Sequence, residues 1–126
     1  MQKTPLEQLF PRQRRLVKAI QYRHVFSKAR RYKSHAFTIL IRKQADNDSV
    51  ETARLGLAIA KRQVKRAIDR NRVKRLVRES FRQSVDHLPP VDIVVMCRFV
   101  VTTMDNQEIF TQLNRLWMSI ASSTRT

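Results

Sequence analysis

Residues 61–82 (KRQVKRAIDRNRVKRLVRESFR) constrain the rest of the chain, because this segment must bury one side of itself while carrying charge that resists burial. It holds ten Lys or Arg (Lys61, Arg62, Lys65, Arg66, Arg70, Arg72, Lys74, Arg75, Arg78 and Arg82) against two acids, Asp69 and Glu79. Val73, Leu76, Val77, Ser80, Phe81 and Ser84 recur at i, i+3, i+4, i+7, i+8 and i+11, the stripe of a helix packed on a core. Arg70, Lys74, Arg78 and Arg82 follow at four-residue spacing beside that stripe, with Asn71 and Arg75 next to them. A charge run on a balanced helix is ordinarily a solvated face. Here like-charge neighbours each cost roughly 0.2–0.5 kcal/mol, and Glu79, four residues from Arg75, is too little to neutralise the row. A polyanionic partner removes that cost, which favours a binding surface.

The whole chain shares the bias. Its 126 residues carry a formal charge of +16 with a pI near 11.5, of which the basic segment supplies half. The length suits one domain, residues 1–126, and a hydrophobic content of 42% is enough to fold it. Such charge points to nucleic acid first and an anionic membrane surface second. Apolar runs such as residues 93–97 are too short to span a bilayer, and the N-terminus lacks a signal-peptide pattern, so a cytoplasmic protein is expected. Cys97 stands alone, which excludes an intrachain disulfide and a cysteine zinc site, and suits a buried small hydrophobe. Gly56 is the single glycine, whereas a P-loop or dinucleotide fingerprint needs several.

Taken in order, residues 1–13 read as an extended arm anchored through Phe10. A helical pattern runs from Arg14, with Tyr22, Val25, Phe26 and Ala29 on one face. Taken alone, the helix favours core packing for Tyr22 and Phe26; the basic bias of the whole chain keeps a second reading open, exposed aromatics that stack on unpaired bases. Residues 30–34 (RRYKS) are loop or short strand. Residues 36–42 (AFTILIR) are a strand with Phe37, Ile39 and Ile41 on one face. Residues 44–52 form a polar hairpin loop whose acids, Asp46, Asp48 and Glu51, lack the glycine of a calcium loop. Residues 54–60 (RLGLAIA) alternate Leu55, Leu57 and Ile59 with small residues. That pattern predicts a central strand whose small face is covered closely, with the basic helix or its neighbour as the candidate cover. The prolines of residues 87–91 (HLPPV) stop the basic helix, and residues 92–99 (DIVVMCRF) read as a strand covered on both faces. Asp105 and Glu108 resemble a capping box for a last helix carrying Ile109, Leu113, Leu116, Trp117 and Ile120, before a frayed tail at residues 122–126. His24, His35 and His87 are scattered, and no spacing favours a catalytic pair.

The motif Arg70-Asn71-Arg72, extended to RNRVKRLVRESFR and preceded by Leu55-Gly56-Leu57 and Ala60-Lys61-Arg62, resembles the signature of the protein subunit of bacterial ribonuclease P. The resemblance extends to Phe10-Pro11-Arg12, Tyr22, Val25-Phe26, residues 92–95 and Leu116-Trp117. It implies an α+β fold: a two-layer α-β sandwich in the order αβββαβα, with a small mixed four-stranded sheet and a left-handed βαβ crossover, which would make residues 30–34 a strand. It also implies a ribonucleoprotein endoribonuclease in which an RNA with bound Mg2+ removes the 5′ leader of precursor tRNA, the protein alone not cleaving. By the same resemblance Lys61, Arg62, Arg66, Arg70, Asn71, Arg72, Lys74 and Arg75 bind the catalytic RNA. Tyr22 and Phe26 match the aromatics of a cleft for the single-stranded leader. Two positions depart from the family pattern: Gln21 stands where an acid commonly precedes the aromatic, and Leu40 stands where another cleft aromatic is frequent, with Phe37 nearby to supply one. The expected partners are the catalytic RNA and precursor tRNA, with no membrane and no obligatory protein partner; no protein metal site and no protein catalytic residue are expected.

Three alternatives use the same residues differently. A general or ribosomal RNA-binding protein would need the basic helix but no single-strand cleft. A DNA-binding module would need a second helix closely preceding the basic one. A nuclease acting alone would need a cluster of ligands or titratable groups.

Overall fold

The computed structural model describes residues 19–27, 29–44 and 52–123. The expected arm at residues 1–13, the start of the first helix, most of the acidic loop and the last residues of the tail lie outside them. The elements run α1 (Ala19–Ser27), β1 (Arg30–Lys33), β2 (Phe37–Lys43), β3 (Arg54–Leu57), α2 (Ala67–Ser84), β4 (Val91–Cys97) and α3 (Asn106–Ser123). Short 3-10 turns at Val85–His87 and Phe99–Thr103 flank β4. The fold is α+β, in the order αβββαβα, and residues 30–33 are the short strand that the family pattern implied.

The four strands lie in the order β1-β2-β4-β3, antiparallel except for the β3–β4 pair. β4 sits between two strands and is covered on both faces, Ile93 and Val95 under α2 and α3 and Val94 under α1, as its nearly continuous apolar run predicted. β3 is an edge strand, as β1 is on the other side, which corrects the expectation of a central one. It reads as central because helices cover both of its faces, so its second face carries small residues even without a second neighbouring strand.

On one face of the sheet Phe37, Ile39, Ile41, Leu55, Ile93 and Val95 join the buried stripes of α2 and α3 in the main core. Val73, Leu76, Val77, Ser80 and Phe81 are the buried residues of α2, as their spacing predicted. Ile109, Leu113, Leu116, Trp117 and Ile120 do the same for α3. The two helices meet edge to face through Phe81 and Trp117, with ring centroids 5.8 Å apart. Ser80 belongs in this apolar seam because the buried Trp117 Nε1–H needs an acceptor and donates to its Oγ at 2.8 Å. The capping box closes in both directions: Glu108 N donates to Asp105 Oδ1 at 2.8 Å, and Asp105 N to Glu108 Oε1 at 3.2 Å.

The opposite face carries a smaller core of Val25, Leu40 and Val94, with Tyr22, Ala58 and Met96 against it. Thus α1, rather than the basic helix, covers the small face of β3. Beneath this layer Arg54 and Asp92, register partners on β3 and β4, form a bidentate ion pair at 2.7 and 2.8 Å. Their side chains are 4% and 1% exposed, and an acid inside a buried strand requires such a partner.

Candidate nucleic-acid interface

The cationic surface begins where β3 ends. The Ala60 carbonyl accepts hydrogen bonds from Gln63 N at 3.1 Å and Val64 N at 3.0 Å, which closes a tight turn over residues 61–66. Val64 is fully buried and anchors the turn to the core, while Lys61, Arg62, Lys65 and Arg66 around it are exposed. Arg70, one turn into α2, reaches back and donates to the carbonyls of Val64 at 3.0 Å and Lys65 at 2.8 Å. Buried hydrocarbon and charge-assisted bonds therefore fix the backbone of a turn from which four exposed cations project.

The expected RNA-binding residues divide into two kinds. Lys61, Arg62, Arg66, Asn71 and Arg75 are exposed, while Arg70, Arg72 and Lys74 are half-buried. Arg72 ties α2 to the start of α3: its guanidinium donates to the Met104 carbonyl at 2.8 Å and to Asn106 Oδ1 at 2.7 and 3.1 Å. Sequence alone ranks these cations as equals, but folding assigns Arg70 and Arg72 to backbone carbonyls as well.

Glu79 pairs with Arg82, three residues on, and also accepts from Gln83 Nε2 at 3.2 Å. Spacing had allowed Arg75 as its partner instead. The hydrogen bond from Arg82 holds the Glu79 carboxyl below the usual carboxylate range. Arg75 is left exposed further up the helix. Arg66 lies 3.8 Å from Asp69, and the 75% exposure of its side chain makes that pair weak.

Of the three aromatics expected at a leader cleft, Tyr22 and Phe26 share α1 and Phe37 stands apart. Tyr22 is half-buried against β3, its hydroxyl accepting from Leu57 N at 3.2 Å. Phe26, one turn on, is 48% exposed. Phe37 is fully buried in the core beneath α2 and α3, on the face of the sheet away from α1. It cannot reach a ligand beside Tyr22 and Phe26, so its assignment to the cleft is corrected. Alternation decides this: Phe37 shares a strand face with Ile39 and Ile41, whereas Leu40 points towards α1. α1 is fixed to the end of β2 by His24 Nε2, 2.9 Å from the Lys43 carbonyl, and by Arg42, which donates to the His24 carbonyl at 2.9 Å.

Sequence reasoning missed Phe99, which was placed at the end of a strand. β4 stops at Cys97, and Phe99 opens the following 3-10 turn with its ring 67% exposed. It lines a surface hollow of about 640 Å³ with Arg62, Gln63, Lys65, Arg66, Asp69 and Thr102. The only signal for it in the sequence is an aromatic followed by Val100, Val101 and two threonines, which does not continue a strand alternation.

Among the described residues no group of three or more His, Cys, Asp or Glu could hold a metal ion. No described helix is long and apolar enough to cross a membrane. A family model described as ribonuclease P matches residues 10–121. The ribonuclease P protein component of Thioalkalivibrio sulfidiphilus is 50% identical over 117 residues, covering 93% of this chain and 94% of that one. Its counterpart from Chromohalobacter salexigens is 41% identical over 119 residues, covering 94% and 91%. The ribonuclease P protein from Thermotoga maritima superimposes with a TM-score of 0.69 at 27% identity, covering 82% of this chain and 96% of that one. A Staphylococcus aureus ribonuclease P protein mutant with defective mRNA degradation activity has the same fold, with a TM-score of 0.82 at 22% identity over 96% and 98% of the two chains. With the basic turn, the Arg-Asn-Arg helix and the order of elements all in place, the chain belongs to the ribonuclease P protein family.

Proposed function

We propose that this chain is the protein subunit of a ribonuclease P that docks on the catalytic RNA through residues 61–66 and the exposed face of α2. The observation that carries the reading is the fixed turn, in which Lys61, Arg62, Lys65 and Arg66 are exposed around buried Val64 and braced by Arg70. Cations carried on a fixed backbone neutralise phosphates and release their counterions without the turn itself first having to be ordered. Asn71, Lys74 and Arg75 extend the same surface along α2, and Arg72 supports it from beneath.

The 5′ leader of precursor tRNA occupies the other side of the sheet, at α1. There the exposed ring of Phe26 and the half-buried ring of Tyr22 offer flat faces to unpaired bases, which grips a strand without demanding a sequence. The RNA performs the cleavage and the protein neutralises repulsion between ribozyme and substrate. In this reading the magnesium implied by the family is bound mainly by the RNA. The assembly works in the cytoplasm, where precursor tRNA is found.

The test is cleavage of precursor tRNA at low magnesium by the catalytic RNA of the same source, with and without this protein. Stimulation by the protein is expected, and no cleavage when the RNA is omitted. A lack of stimulation, or cleavage by the protein alone, would overturn the assignment.

A further inference from the structure

β3 and β4 are parallel neighbours, so the segments that leave their C-terminal ends emerge at the same end of the sheet. Between those segments lies a crevice outside the carboxyl ends of the two strands. Here it is bounded on one side by the turn at residues 61–66 and on the other by the 3-10 turn Phe99–Thr103. The two turns are joined by Phe99 N, which donates to Gln63 Oε1 at 3.1 Å. The Phe99 carbonyl accepts from Thr102 Oγ1 at 2.8 Å. Nearby Val101 and Met104 are buried, so the backbone around Phe99 is fixed while its ring stands in the hollow.

We propose that Phe99 is a stacking platform for one unpaired base of an RNA partner, with the flanking phosphates held by Arg62, Lys65 and Arg66. The site rests on the reading of this chain as an RNA-binding subunit and adds a contact to it. A single exposed apolar side chain is common on protein surfaces and needs no partner. Phe99 differs in its surroundings: three cations, Arg62, Lys65 and Arg66, share the hollow with it, against one acid, Asp69. An acidic protein could answer the charge. A nucleotide answers both features, because every base has a π face and each brings its own phosphate. The volume of about 640 Å³ lies within the range of small-ligand pockets and leaves room for a base and its sugar.

The experiment uses the full chain and its Phe99→Ala, Phe99→Leu and Phe99→Trp variants. The probes are the catalytic RNA, a short single-stranded oligonucleotide of mixed sequence and a fully paired RNA hairpin. Phe99→Ala and Phe99→Leu should weaken binding of the catalytic RNA by roughly 5- to 150-fold, the loss of one base–aromatic stack. Phe99→Trp should retain it, the hairpin should bind all four proteins alike, and thermal stability should not change. If the wild-type protein stimulates cleavage yet Phe99→Leu binds the catalytic RNA as well as it does, stacking is wrong while the assigned function stands. An equal loss on the hairpin would also overturn it. If the wild-type protein does not bind the catalytic RNA, the functional assignment falls. The same comparison on the single-stranded oligonucleotide then decides the platform, loss in Phe99→Leu supporting it and no loss refuting it.

Discussion

Tyr22 and Gly56 meet so closely that a methyl group has no place between them: a Cβ on Gly56 would lie 2.7 Å from Cε1 of the Tyr22 ring and 2.8 Å from its Cζ and hydroxyl oxygen. The only glycine in the chain is therefore required by a side chain on the opposing helix, since its backbone has an ordinary negative φ. Replacing Gly56 with Ala should destabilise the fold by about 1–3 kcal/mol, the usual cost of overpacking. In a Tyr22→Leu background the same change should cost much less. Urea denaturation of the two single variants and the double variant checks this, and an equal cost in both backgrounds would refute the contact.

The buried pair of Arg54 and Asp92 should respond asymmetrically. Asp92→Leu alone leaves a buried guanidinium without its carboxylate and should cost about 3–5 kcal/mol. Combining it with Arg54→Met should recover much of that loss, because no buried charge then remains. Additive losses in chemical denaturation would show that the pair is not coupled in this way.

Arg72 and Arg75 should separate scaffold from docking surface. Arg72→Ala removes three hydrogen bonds to Met104 and Asn106 and should lower stability by about 1–3 kcal/mol, visible as a drop of several degrees in Tm. Arg75→Ala should leave Tm unchanged, weaken RNA binding and reduce the slope of log K against log salt by about 1. Calorimetry and a salt titration distinguish the two. A stability loss at Arg75, or none at Arg72, would reverse the assignment.

Burial pushes the Cys97 thiol up to about 11. The native protein should therefore resist thiol reagents at pH 8 and react promptly once unfolded. The sign of the linkage follows from the raised value. The contribution is intact below the unfolded thiol value of about 8.5 and is lost as pH rises towards 11, by up to ~1.4 kcal/mol per pH unit. Cys97→Ala should lack this part of the alkaline decline, so the difference between the two stability profiles isolates it.

Helices were the most legible part of the sequence. The stripes of α2 and α3 declared themselves because a half-buried helix repeats its burial every three to four residues, and the reciprocal bonds of Asp105 and Glu108 left a spacing that could be read directly. β4 was legible because both of its faces are covered. The position of β3 was not, since an edge strand capped by Tyr22 on one face and α2 on the other has the composition of a central one. Phe37 was expected at the leader surface for its nearness to Leu40, yet alternation already grouped it with Ile39 and Ile41 on the opposite face. The cationic site was visible as a whole, through Arg-Asn-Arg and the charge around it. Its internal division was hidden, because whether a guanidinium meets a carbonyl or solvent depends on where the chain turns back. Phe99 was hidden for a related reason: nothing local marks the residue at which β4 ends.

The bracing of residues 61–66 by Arg70 also sets when ordering is paid for. Fixing a backbone residue costs about 1–2 kcal/mol in conformational entropy, and a loose turn would meet that cost on contact with RNA, where it subtracts from affinity. With Val64 buried and Arg70 bonded to the carbonyls of Val64 and Lys65, the loss is incurred during folding. An Arg70 variant would accordingly associate as a more disordered surface, and its weakened complex would reflect the lost rigidity of its neighbours as much as the removal of one positive charge.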